Sequence, residues 1–112
     1  MAPVDSIRNL GPAAVAQFAR AGIHSAEEIR ALGADAAYAR LLAAGERPHF
    51  IGYYVLHMGL QGRPWNDCHG TEKAALRKSF DTLKAAAARK HAESEAMPRE
   101  LARALDALGI RA

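Results

Sequence analysis

Cys68 is the only cysteine in this 112-residue chain, so no disulfide can form within it, and a disulfide-stapled secreted scaffold is excluded. Aromatic residues are scarce as well, 6% of the chain against 50% hydrophobic overall, which leaves Leu, Ile and Ala to build the core. Closely packed helices suit that supply better than a sheet, which draws on Val, Thr and aromatics. No alternating strand pattern, solenoid repeat or low-complexity linker is present. The first ten residues, MAPVDSIRNL, lack the basic start and apolar run of a secretory signal, and a cytoplasmic location is expected. The longest apolar run, residues 50–60, would be only about 16 Å long as a helix, against a ~30 Å bilayer core. It is expected to be a buried helix, and no membrane is expected as a partner.

Catalytic constellations are missing too. No Ser/His/Asp ordering, glycine-rich phosphate loop or pair of buried carboxylates can be assembled, so the chain does not read as an enzyme, and no small-molecule substrate is expected. Cys68-His69 and the scattered histidines His24, His49, His57 and His91 lack CxxC, HxxxH or HxxC spacing, so neither a metal nor a cofactor is expected. Cys68 reads as a loop thiol and Trp65 as a lid over the core.

What the chain does hold is helix punctuation. Gly11-Pro12 opens a helix with Val15, Phe18 and Ala19 on one face, and Gly22 stops it. Ser25-Ala26-Glu27-Glu28 is a capping box before a helix with Ile29 and Leu32 inside, ended by Gly33. Asp35 caps a third helix bearing Tyr38, Leu41 and Leu42, and Gly45 terminates it. Pro48 opens the apolar helix, whose Gly52 and Gly59 mark close approach of a neighbouring backbone. Arg63-Pro64-Trp65 turns the corner into the longest helix, residues 71–93, with an apolar stripe of Leu76, Phe80, Leu83 and Ala87. Pro98 starts a last helix with Leu101, Leu105 and Leu108 inside. The reading is all-α, a compact five- or six-helix domain covering residues 1–112.

These segments in order resemble the C-terminal domain of the TfoX/Sxy family of bacterial competence regulators. The resemblance rests on residues 7–12 (IRNLGP), 21–33 (AGIHSAEEIRALG), Ala37-Tyr38, and then Leu56, Gly59-Leu60, Gly62 and Trp65. It covers roughly residues 4–75, and residues 76–112 read as a helical extension of a stand-alone copy. It implies a helix-hairpin-helix-like start and a non-catalytic role in transcription regulation, linked to expression of DNA-uptake genes.

Two features could meet a polyanion. DNA-binding hairpins of this kind offer backbone N–H groups, typically from two glycines, to successive phosphates, often with a lysine following. Here Asn9 and Gly11 hold the two glycine positions, with Arg8 and Arg20 flanking. Pro12 removes one donor and Ala13 replaces the lysine, which favours a structural hairpin over a phosphate cradle. The second feature is charge. Residues 1–56 hold five basic and five acidic groups, so the whole net +3 belongs to residues 57–112. Lys73, Arg77 and Lys84 line one edge of the long helix, with Lys78, Arg89 and Lys90 further round. The plain alternative is an ordinary solvated helix face. The expected partner is duplex DNA through its backbone phosphates, or a DNA-bound complex. The rival is a protein partner or a homodimer joined through the apolar edge of the long helix and the Leu101, Leu105, Leu108 stripe.

Overall fold

The computed structural model describes residues 1–95, which form four α-helices and two 3-10 turns, with no strand among them. A 3-10 turn, Val4–Ser6, leads to α1 (Pro12–Arg20), α2 (Ala26–Ala43) and α3 (Phe50–Leu60); a second turn, Trp65–Asp67, precedes α4 (Gly70–Glu95). The last expected helix, from Pro98, lies outside the described residues. Helices α2, α3 and α4 pack against one another, and the N-terminal turn and α1 close one end.

Local chemistry sets the boundaries. Ser25 Oγ accepts from the Glu28 N–H at 3.2 Å, while Glu28 reaches back to the His24 N–H at 3.4 Å, one residue before the cap. Helices α1, α2 and α3 each end in the same way, with a 6→1 bond from Ile23 N–H to Phe18 (2.8 Å), Glu46 to Leu41 (3.1 Å) and Arg63 to Met58 (3.0 Å). Gly33 (φ 82°, ψ 167°) leaves helical geometry inside α2, so residues 26–43 are two helical segments that meet at a kink, at the position where the sequence places a stop. Asp35, just past the kink, does not cap it; its carboxylate accepts from the Tyr53 hydroxyl of α3.

The core runs from Val4, Ile7 and Phe18 through Ile23, Ile29, Tyr38 and Leu41 to Tyr53, Leu56, Met58, Leu76 and Phe80. Tyr38, Tyr53 and Phe80 meet with ring centroids 5.3 to 6.0 Å apart, so the few aromatics are concentrated where the three long helices join. Tyr38 also bridges elements: its hydroxyl donates to the His49 carbonyl (3.2 Å) and accepts from the His49 N–H (2.9 Å), pinning the start of α3.

Several expectations are corrected. The hairpin is not two helices, because its first arm is a single 3-10 turn; extended Ile7 and left-handed Asn9 (φ 72°) follow too soon for a helix to propagate. Val15 and Ala19 are not buried, leaving Phe18 as the buried anchor of α1. Helix α3 begins two residues after Pro48, and its Ile51 and Gly52 face outward. Trp65 is 52% exposed, whereas Cys68 is 5% exposed, the reverse of the expected lid and loop thiol. The chain turns at Pro64 so that the thiol points inward, and its burial raises the thiol pKa. Among the described residues no helix is long and apolar enough to cross a membrane.

Candidate nucleic-acid interface

The hairpin is held down by its own candidate residues. The Arg8 carbonyl oxygen lies where a Cβ on Gly59 would sit only 2.2 Å away, so that glycine is what lets the turn rest on α3. The close neighbour is therefore a loop carbonyl and not a helix, and Gly52 has nothing within 4 Å. Asn9 sits in the left-handed region and its Nδ2 donates to the Val55 carbonyl (3.3 Å) and the Arg63 carbonyl (2.9 Å). Its carboxamide thereby ties the turn to both the body and the end of α3.

The backbone donors of the turn are only partly spent. Leu10 N–H is bonded to the Ile7 carbonyl, Ala14 and Val15 both donate to Gly11, and Pro12 has no N–H, while the N–H groups of Gly11 and Ala13 make no loop or cap hydrogen bond among the described residues. Gly11 is extended (φ −114°, ψ −170°), serves as N-cap of α1 and has open space around it, so it does not set the turn; Asn9 does. Arg8 has an exposed side chain. Arg20 is already committed, with Nη2 2.5 Å and Nε 2.9 Å from Glu46 Oε1.

On α4 the basic row is arranged differently. Lys73, Arg77 and Lys84 fall within about 40° of one another around the axis and span roughly 16 Å along it, at 100° and ~1.5 Å per residue. All three are exposed and border the buried stripe of Leu76 and Phe80. Lys73 Nζ stands 5.4 Å from the centroid of the Tyr54 ring, and Arg77 Cζ lies 5.1 Å from Phe50 and 5.4 Å from Phe80. These cation–π contacts hold two of the charges over the α3/α4 seam without cancelling them. Arg77 is partly offset by Asp81 at 3.2 Å; among the described residues no carboxylate lies within ion-pair distance of Lys73, Lys78 or Lys84. Lys78, Arg89 and Lys90 are exposed on other sides of the helix.

At the start of α4 an ion cluster fixes the helix that carries the row. Arg63 Nε donates to Asp67 at 2.7 Å, and its Nη1 and Nη2 grip the two oxygens of Glu72 at 2.8 and 2.9 Å. Hydrogen bonding to Arg63 lowers the Glu72 pKa, and the guanidinium is in turn held more firmly protonated. Arg63 thus spans the corner from the end of α3 to the first turn of α4. Sequence reasoning missed this cluster, although the i, i+4 spacing of Arg63 and Asp67 was a signal for half of it. It also missed the seal at the other end, where Ala2 N–H donates to both Glu27 oxygens at 2.8 and 3.1 Å and Ala26 N–H to the Ala2 carbonyl at 2.9 Å.

The structure therefore brings Lys73, Arg77 and Lys84 together on one edge, and Arg8, Asn9 and Gly11 together in the turn, with Arg20 at the far end of α1. Among the described residues no group of three or more His, Cys, Asp or Glu side chains could hold a metal ion. No curated protein and no solved structure matches the chain. A family model does: the one described as the TfoX C-terminal domain matches residues 2–80, which takes in the turn, α1 to α3 and the first part of α4.

Proposed function

The chain belongs to the TfoX C-terminal domain family, and from that membership we propose that it is a non-catalytic regulatory module that contacts duplex DNA, alone or within a DNA-bound complex, through the basic edge of α4. The observation that carries this reading is the contrast in how the positive charges are used. Arg20 and Arg63 are matched by Glu46, Asp67 and Glu72, while Lys73 and Lys84 stand exposed beside a helix edge that aromatic rings hold in place. Unmatched cations along one edge release counterions when phosphates replace them, which gives sequence-independent attraction. The hairpin serves as the brace of the domain. A titration of generic duplex DNA by fluorescence anisotropy, at two salt concentrations, tests the proposal. Binding that weakens steeply with salt supports it; no binding at low salt would leave DNA contact without a basis. Association with a protein that hardly responds to salt would favour the rival, since apolar burial is little screened.

A further inference from the structure

Gly52 lies in the first turn of α3, exposed, and a Cβ built on it would meet nothing within 4 Å. A helical glycine is destabilising relative to alanine, and here neither a left-handed turn nor a close neighbour calls for one. What the missing side chain does is leave room. Gly52 lines a cleft of about 520 Å³ between the N-terminal turn with α1, the first half of α3, and the loop that joins α2 to α3. That volume lies within the ~300–1,000 Å³ range of small-molecule sites. Its floor is apolar, built from Leu10, Phe18, Leu41, Val55 and Leu56. The walls are tied to one another by polar contacts: Asn9 to the Val55 carbonyl, Tyr38 to both backbone groups of His49, and Arg20 to Glu46. The cleft is therefore formed before anything enters it.

Charge complementarity selects the occupant. The lining carries one acidic and one basic side chain, Glu46 and Arg47. Glu46 is matched by Arg20, whereas Arg47 is exposed and within ion-pair distance of no carboxylate among the described residues. Gln17, half-buried on α1, adds a carboxamide that bonds to nothing else among the described residues. From this geometry we propose that the cleft is a binding site for a small organic acid with an aromatic or branched aliphatic body. The body lies on the apolar floor beside Gly52, and the carboxylate meets the Arg47 guanidinium at the rim, where a planar fork of donors suits it. Such a ligand touches the turn, α1, α2 and α3 together, so it reinforces the packing of the turn. No residue of α4 is among the described lining, so the site is independent of the basic edge and stands or falls apart from DNA contact.

Titration of the full chain with naphthylacetate, followed by backbone amide NMR shifts, tests the proposal, with the neutral naphthylacetamide as its control. The expected result is saturable shifts at Leu10, Ala14 and Val55, with a Kd on the order of 1 mM for a ligand of this size. The neutral amide should bind about two- to fivefold more weakly, the loss expected for one exposed ion pair, and Arg47→Gln should remove that difference. Gly52→Leu should fill the cleft and weaken binding at least about tenfold, with a melting temperature no lower than the parent's. If it disturbs the fold, Ala14→Leu narrows the cleft from the α1 side and repeats the test. Absence of saturable shifts in the parent at up to about 10 mM would overturn the proposal, as would undiminished binding in a folded variant with the cleft filled. Equal affinity for acid and amide in the parent would overturn the assignment to an acid. Sedimentation at two concentrations supplies the remaining outcome: a parent dimer that Gly52→Leu converts to a monomer would give the cleft to a second copy and overturn the proposal equally.

Discussion

The N-terminal turn and α4 both carry basic or glycine-like residues that suit a phosphate, but they use them in opposite ways. In the turn, the Arg8 carbonyl presses on Gly59, Asn9 donates its side-chain amide to Val55 of α3 and to Arg63 just beyond it, and Arg20 at the far end of α1 is paired with Glu46. On α4, buried contacts belong to Leu76 and Phe80, and the cations beside them stay exposed. A motif that looks like a ligand site in sequence can thus be committed to the fold, while a plain amphipathic helix keeps its charge available. Whether a polar group is already satisfied within the chain decides which of the two it is.

The comparison is most sharply tested at Gly59. Substitution by leucine should destabilise the protein by ~3 kcal/mol or more, because the obstructing atom is a backbone carbonyl that cannot rotate away and overpacking alone costs ~1 to 3 kcal/mol. Urea denaturation reads this directly, and a midpoint equal to the parent's would mean that the turn does not rest on α3. Asn9→Ala comes next, at about 2 to 3 kcal/mol, combining loss of the hydrogen bonds to Val55 and Arg63 with left-handed strain of ~1 kcal/mol. Gly11→Val should cost only about 1 kcal/mol, through the weaker N-cap preference of valine. If Gly11→Val proved the more damaging of the two, Gly11 and not Asn9 would be the residue that sets the turn.

Cys68 gives a smaller effect. Cys68→Ser should cost about 1 kcal/mol by placing a hydroxyl where a buried thiol packs. Because burial raises its pKa, the folded state favours the neutral thiol; the associated stability is complete below the unfolded value of ~8.5 and is lost as pH rises past it. Thermal melts from pH 7 to 9.5 should therefore fall more for the parent than for Cys68→Ser. A thiol reagent that labels the native protein as fast as the unfolded chain would show that Cys68 is not buried.

How much of this was visible in the sequence depends on the range of each interaction. The Ser25 cap and the ends of α1 and α2 are settled within six residues, and they were legible. The break at Gly33 is equally local and equally legible, since its positive φ interrupts the helical backbone between two segments of α2. Gly52 and Gly59 looked equivalent on the helix, yet only Gly59 meets another segment, and that segment is 51 positions away in sequence. Trp65 and Cys68 exchanged their expected places for the same reason: residue type alone does not say which side of a corner faces the core. The row of Lys73, Arg77 and Lys84 was fully legible because helical periodicity alone aligns it, whereas the Arg20–Glu46 pair joins residues 26 apart and left no local trace.

The claim that α4 and not the turn supplies the attraction to DNA is tested most directly by the salt dependence of duplex binding in two variants. With Lys73, Arg77 and Lys84 all changed to glutamine, the log–log salt slope should flatten by up to ~2.7, at ~0.9 for each phosphate no longer neutralised, and affinity at low salt should fall. Melting should move only slightly, by the ~0.5 to 1 kcal/mol that each exposed cation–π pair contributes. With Arg8 and Arg20 changed to glutamine, the slope should move by no more than ~0.9, because Arg20 is already paired. The reverse ranking in folded proteins, an unchanged slope in the triple variant and a flattened one in the Arg8/Arg20 variant, would contradict the account and make the turn the phosphate site.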